Sequence, residues 1–151
     1  MKRKPIHRDA APARVQEAAV APRVRPKTDR GFEEIREIRK GLPVETFFEL
    51  EAKLGVGTAA LAEVVGIPVR TLQRRKEEGR LTKDESDRLD RVRQLVKQAA
   101  GVLESGDAAR RWLTRPQIAL GGFVPLDLAD TGAGIREVEN LLGRIDYGVY
   151  A

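Results

Sequence analysis

Residues 58–77 read TAALAEVVGIPVRTLQRRKE, and their spacing decides the fold. Leu61, Val65, Ile67 and Leu72 recur so that two short helices each bury one face, and Gly66 falls between them where the chain must turn through left-handed backbone. Ala62, four residues before that glycine, sits where the helices cross closely and a larger side chain would push them apart. Thr58 is expected to cap the first helix, residues 59–66, and Pro68 to stand in the first turn of the second, which Gly79 stops. This is helix-turn-helix spacing, which a non-binding helical hairpin can also show.

The outer face of the second helix favours nucleic acid. With Leu72 turned inward, Val69, Arg70, Gln73 and Arg74 project outward near its amino-terminal part, the part that reaches base edges in a major groove. Arg70 and Arg74 can donate paired hydrogen bonds to guanine, and Gln73 can pair with adenine. Thr58, Thr71, Arg75, Lys76 and Arg80 are placed to meet phosphates. Residues 68–83 hold six basic against two acidic side chains and residues 1–30 nine against three, whereas the rest of the chain is balanced or acidic. The bland alternative is a solvated basic helix face. A single unit of this kind makes few base contacts, so operator DNA implies a homodimer through the helical region on a two-fold site.

Outward from this motif the pattern stays helical. FEEIREIRK, residues 32–40, puts Phe32, Ile35 and Ile38 on one face ahead of Gly41. Val44, Phe47, Leu50 and Leu54 form a second face behind Pro43, a favoured first-turn residue, and Gly55 or Gly57 ends that helix. Thr82 with Glu85 three residues on makes a capping box for the longest helix, striped by Leu89, Val92, Leu95, Val96, Ala99 and Leu103. Asp107 is expected to cap AARRWL. A loop, the short helix PLDLAD and an amphipathic helix through Ile135, Val138, Leu141, Leu142 and Ile145 follow.

An all-α fold is therefore expected, with a helix-turn-helix bundle over residues 31–105 and a small helical module over 106–151. Residues 1–30, which hold Pro5, Pro12, Pro22 and Pro26, read as a disordered basic tail. Composition agrees. In 151 residues, 41% are hydrophobic and only 5% aromatic, so the core must rest on aliphatic side chains, which favours packed helices. There is no cysteine and a single histidine, His7, so neither a metal site nor a cofactor is expected. The basic start lacks an apolar stretch behind it, and no run approaches a membrane span, so a soluble, cytoplasmic protein is expected. The segment from Trp112 onward lacks histidine, cysteine and a phosphate-cradling loop, which argues against an enzyme. Trp112 reads as core.

The run WLTRPQIALGGFVPLDL, residues 112–128, followed by an amphipathic helix and by RIDYGVYA at residues 144–151, resembles the toxin-binding domain of Xre/MbcA/ParS-type antitoxins. GIPVRTLQRRKEEGRLTKDESDRL, residues 66–89, resembles the Xre-like DNA-binding domain of the same proteins. The likeness covers residues 42–151. Gln117 stands where the family pattern leads one to expect Asn. The resemblance implies an antitoxin that represses its own operon. Its partner would be a RES-domain toxin, an NAD-consuming enzyme, with the antitoxin's C-terminal end blocking the active-site cleft. By position it implies toxin contacts at Gly121, Gly122, Arg144, Tyr147, Gly148, Val149, Tyr150 and Ala151. Two tyrosines bring large contact area at small entropic cost, and the terminal carboxylate is an anion suited to a phosphate site. A stand-alone transcription regulator with a C-terminal dimerisation module is the alternative.

Overall fold

A computed structural model describes residues 29–148. Most of the expected basic tail, His7 included, and Val149, Tyr150 and Ala151 lie outside the described residues. Eight α-helices are formed among the described residues: α1 Asp29–Lys40, α2 Glu45–Leu54, α3 Thr58–Val65, α4 Val69–Glu78, α5 Lys83–Val102, α6 Gly106–Leu113, α7 Pro125–Leu128 and α8 Gly132–Asp146. A single 3-10 turn, Ile118–Leu120, lies between α6 and α7.

Helix α5 is the spine. Its capping box forms as its sequence requires: the Glu85 backbone N–H donates to Thr82 Oγ1 at 3.2 Å, and Thr82 N donates to Glu85 Oε2 at 2.8 Å. Leu89, Val92, Leu95 and Ala99 are buried along its inner face, while Val96 lies at the flank. Helices α1, α3, α6 and α8 all pack on it. One hydrophobic cluster therefore runs unbroken from Leu42 to Leu142, through the helix-turn-helix and through the C-terminal module.

The α3–α4 pair closes as its spacing requires. Leu61, Val65, Ile67 and Leu72 are all but inaccessible, Ala62 is buried, and Gly66 turns the chain at φ 69°. Arg88 of α5 braces that turn, its Nε donating to Val65 O at 2.7 Å. The linkers on either side of this unit also meet. Leu81 N donates to Leu42 O (2.9 Å) and Val44 N to Gly79 O (3.1 Å), while Leu42 N donates to the buried Ser86 Oγ at 2.8 Å. Gly41 must be glycine there, since at φ 92° a Cβ would overlap Leu81 O.

Four local expectations shift. Gly57, not Thr58, is the N-cap of α3, because the Thr58 hydroxyl donates sideways to Glu51 Oε1 at 2.7 Å. Ser105, not Asp107, caps α6, its Oγ accepting from Ala108 N at 3.2 Å, and Asp107 joins the first turn instead. Pro43 precedes the Val44 cap, and Pro68 itself is the cap of α4, so each proline fixes the entry of a helix from just outside it. Helix α1 spans Asp29–Lys40, and of its three apolar residues only Ile38 reaches the core; Phe32 and Ile35 are exposed.

In the C-terminal module, Pro125 opens α7, and Ile135, Val138, Leu141 and Leu142 of α8 are buried. Helix α8 lies so close to α7 that a Cβ on Gly134 would overlap the Leu128 carbonyl, whereas Gly143 further along has open space around it. Gly134→Ala is expected to cost about 2 kcal/mol through that overlap, and Gly143→Ala to gain about 0.5 to 1 kcal/mol from helix propensity. Urea unfolding of both variants checks this, and equal effects would remove the close approach from the account.

Candidate nucleic-acid and toxin interfaces

Helix α4 sorts its polar residues by face. Leu72 is fully buried beneath it, Arg70 and Arg74 lie exposed on the far side, and Val69 and Gln73 are exposed on its flanks. Among the described residues only a 3.8 Å approach to Glu78, itself exposed, engages Arg74. Two guanidinium groups thus flank one carboxamide on a solvent-facing surface, a set able to donate to guanine and to pair with adenine. Val69 has no polar atom, so at a base edge it offers only apolar contact of the kind a thymine methyl accepts.

The residues expected at phosphates are differently placed. Arg75 points inward from α4: its Nε and Nη2 donate to the two Glu85 carboxylate oxygens at 2.8 and 3.0 Å, and its Nη1 to Glu78 at 2.6 Å. With its side chain 11% exposed, it is a bracket between α4 and α5 and not a phosphate contact. Thr58 is likewise committed, to Glu51. Lys76 lies 4.5 Å over the Phe48 ring of α2, and Arg80 donates to Gly41 O at 2.7 Å, although both stay exposed. Thr71 is half-buried. The inward role of Arg75 was legible in principle, because it follows Leu72 by three residues and therefore lies near the same face.

The second candidate surface is the C-terminal module. The 117–123 loop is closed by Gln117 N donating to Phe123 O (3.0 Å) and Gly122 N to Gln117 O (2.9 Å), and Gly121 and Gly122 both take left-handed backbone. Gln117 also braces the loop from its side chain, donating to Trp112 O at 2.9 Å. Trp112 is half-buried against the core. The 3-10 turn of this loop packs on α8. Helix α8 delivers Arg144, half-buried with its Nε unpaired among the described residues, and then Tyr147, which is 85% exposed. Gly148 follows in left-handed backbone. Ile118 and Phe123, exposed in the loop, went unnoticed in the sequence, because a residue outside any helical period carries no sign of which way it faces.

Among the described residues no cluster of three or more histidine, cysteine or carboxylate side chains is placed to hold a metal, and no helix is long and apolar enough to cross a membrane.

Fold and surfaces together define a helix-turn-helix protein whose spine helix also carries a C-terminal helical module. Residues 33–94 match the antitoxin Xre-like helix-turn-helix domain, and residues 98–148 match the antitoxin Xre/MbcA/ParS C-terminal toxin-binding domain. The chain is similar to antitoxin Xre of Photorhabdus laumondii, 32% identical over 114 residues that span 74% of this chain and 77% of that one. It is also similar to antitoxin Xre of Yersinia enterocolitica, 33% identical over 125 residues, 81% and 84% of the two chains. A more distant relative is the Prs ADP-ribosylating antitoxin of a Sphingobium species, 27% identical over 124 residues, 76% and 78% of the two chains. The chain belongs to the Xre antitoxin family. It is an antitoxin of a toxin–antitoxin system with a helix-turn-helix domain.

The Arg75–Glu85 bracket leaves a pH signature. Burial pushes the Glu85 carboxyl up, but hydrogen bonds from the Arg75 side chain and the Thr82 backbone outweigh it and hold the group below the usual carboxylate range. Because the folded value is the lower one, this stabilisation is present above about pH 4.3, the ordinary glutamate value, and is lost as pH falls through the lowered value. Asp90 works in the opposite direction, pushed up by burial and by the nearby Glu34. Arg75→Met and Glu85→Gln are each expected to cost about 3 kcal/mol at pH 7, with the double variant costing about 1 to 2 kcal/mol less than their sum. The stability difference between wild type and Glu85→Gln should shrink as the pH falls from 5 to 3. Additive costs with a pH-independent difference would mean that the bracket contributes nothing.

Proposed function

We propose that this antitoxin neutralises a RES-domain, NAD-consuming toxin by occluding its active site with the C-terminal end, and that it represses its own operon as a homodimer through α4. The observation that carries the first half is the close of α8, where an exposed Tyr147 and a left-handed Gly148 lead out of a helix otherwise anchored in the core. Gly121, Gly122, Arg144 and residues 147–151 are the contacts assigned to the toxin. The relative named as a Prs ADP-ribosylating antitoxin supports a partner of the ADP-ribosyl-transferring, NAD-using kind. Inhibition by occlusion needs no chemistry from the antitoxin.

Support for the second half is the exposed Arg70, Gln73 and Arg74 set on α4. In this reading Arg70 and Arg74 take guanines, Gln73 an adenine and Val69 a thymine methyl, while Lys76 and Arg80 lie toward phosphates.

Co-expression with the product of the adjacent gene tests the antitoxin half. Full-length chain should rescue growth and preserve cellular NAD, whereas a chain ending at Asp146 should do neither; rescue by the shortened chain would refute occlusion by the end. For the repressor half, Arg70→Ala and Arg74→Ala are each expected to lose about 1 to 3 kcal/mol of sequence discrimination. Binding to duplex from the chain's own upstream region is the measurement, and unchanged discrimination in both variants would remove α4 from the operator.

A further inference from the structure

The loop between α6 and α7 exposes apolar surface that the fold does not use. Ile118 is 96% exposed and Phe123 61%, while their neighbours Leu120 and Val124 pack onto the core. The presentation is fixed in advance: the left-handed Gly121 and Gly122 and the hydrogen bonds across the loop hold both side chains outward, so little ordering remains to oppose docking. Between Pro116 and Leu128 the sole ionised side chain is Asp127, so this stretch itself offers no cation to a nucleic-acid phosphate, although the exposed Arg115 stands just before it. It lies in the middle of the residues matched to a toxin-binding domain and packs on α8, the helix that leads to Tyr147.

We infer that Ile118 and Phe123 are an apolar anchor by which this chain docks on an apolar patch of its toxin outside the catalytic cleft. The inference rests on the toxin-neutralising reading above and divides its labour: the loop supplies affinity, and the C-terminal end supplies inhibition. Aromatic side chains are enriched in protein interfaces, and a branched aliphatic one beside them adds apolar area to bury.

The test uses the full-length chain and the co-expressed product of the adjacent gene, with affinity and residual NAD consumption measured separately. The double variant Ile118→Ser with Phe123→Ser is expected to bind about 10- to 100-fold more weakly yet to inhibit fully at saturation. The chain ending at Asp146 is expected to lose less affinity than the loop variant and to fail to inhibit at saturation. Thermal melting verifies that the serine pair is folded, and if it melts early the Ile118→Ala with Phe123→Ala pair decides instead. Unchanged affinity in the loop variant overturns the anchor, as does loss of capture on truncation alone. A wild-type dimer that the loop variant converts to monomer with unaltered toxin affinity would make the patch a self-association surface and overturn it as well. Failure of the wild-type chain itself to bind would overturn the parent reading, an outcome distinct from a defect confined to the loop variants.

Discussion

The angle at which α4 leaves the spine depends on one carboxylate. Glu85 caps the first turn of α5 through Thr82 and at the same time receives two hydrogen bonds from Arg75 of α4. A helix N-terminus favours a negative charge, so this single group satisfies the backbone of one helix and the guanidinium of another. Ser86, the next residue, extends the joint by accepting from Leu42 N and donating to Thr82 O. The linkers before α2 and after α4 are thereby sewn together, and Arg88 a little further on holds the α3–α4 turn. The exposed face of α4 is aimed by these contacts, none of which lies on that face.

The same spine aims the other surface. The apolar stripe of α5 is covered by helices from both halves of the chain, so the helix-turn-helix and the toxin-binding module share one core. The two family matches meet between residues 94 and 98, inside α5 and before its end. A close-packed core of this kind transmits position rigidly, which holds a cationic, carboxamide-bearing face and an apolar, glycine-shaped one in a set relation. Their chemistry is complementary to different partners, the first to phosphate and base edges and the second to protein.

Much of this was legible. The Leu61, Val65, Ile67 and Leu72 period, Gly66, and the Thr82–Glu85 capping box are strictly local patterns, and each appears as read. The exposure of Arg70, Gln73 and Arg74 followed from the burial of Leu72 on the same helix. Misreadings arose where a side chain had two eligible partners. Thr58 stood one place after the true cap and found Glu51, Asp107 lost the capping place to Ser105, and Arg75 found Glu85 across a helix junction. A cation on a basic helix looks solvent-facing until a partner ten residues away is brought beneath it.

The sequence alone determined the helices, their order, the glycine turns and the family, because helical period and left-handed backbone are properties of neighbouring residues. Tertiary structure decided which cations stay exposed and which are brackets, that the two modules share a core along α5, that Phe32 and Ile35 are exposed, and that Ile118 and Phe123 stand out from the loop. Those outcomes depend on contacts between residues far apart in the chain, and on the space that distant helices leave to a side chain, neither of which any local pattern encodes.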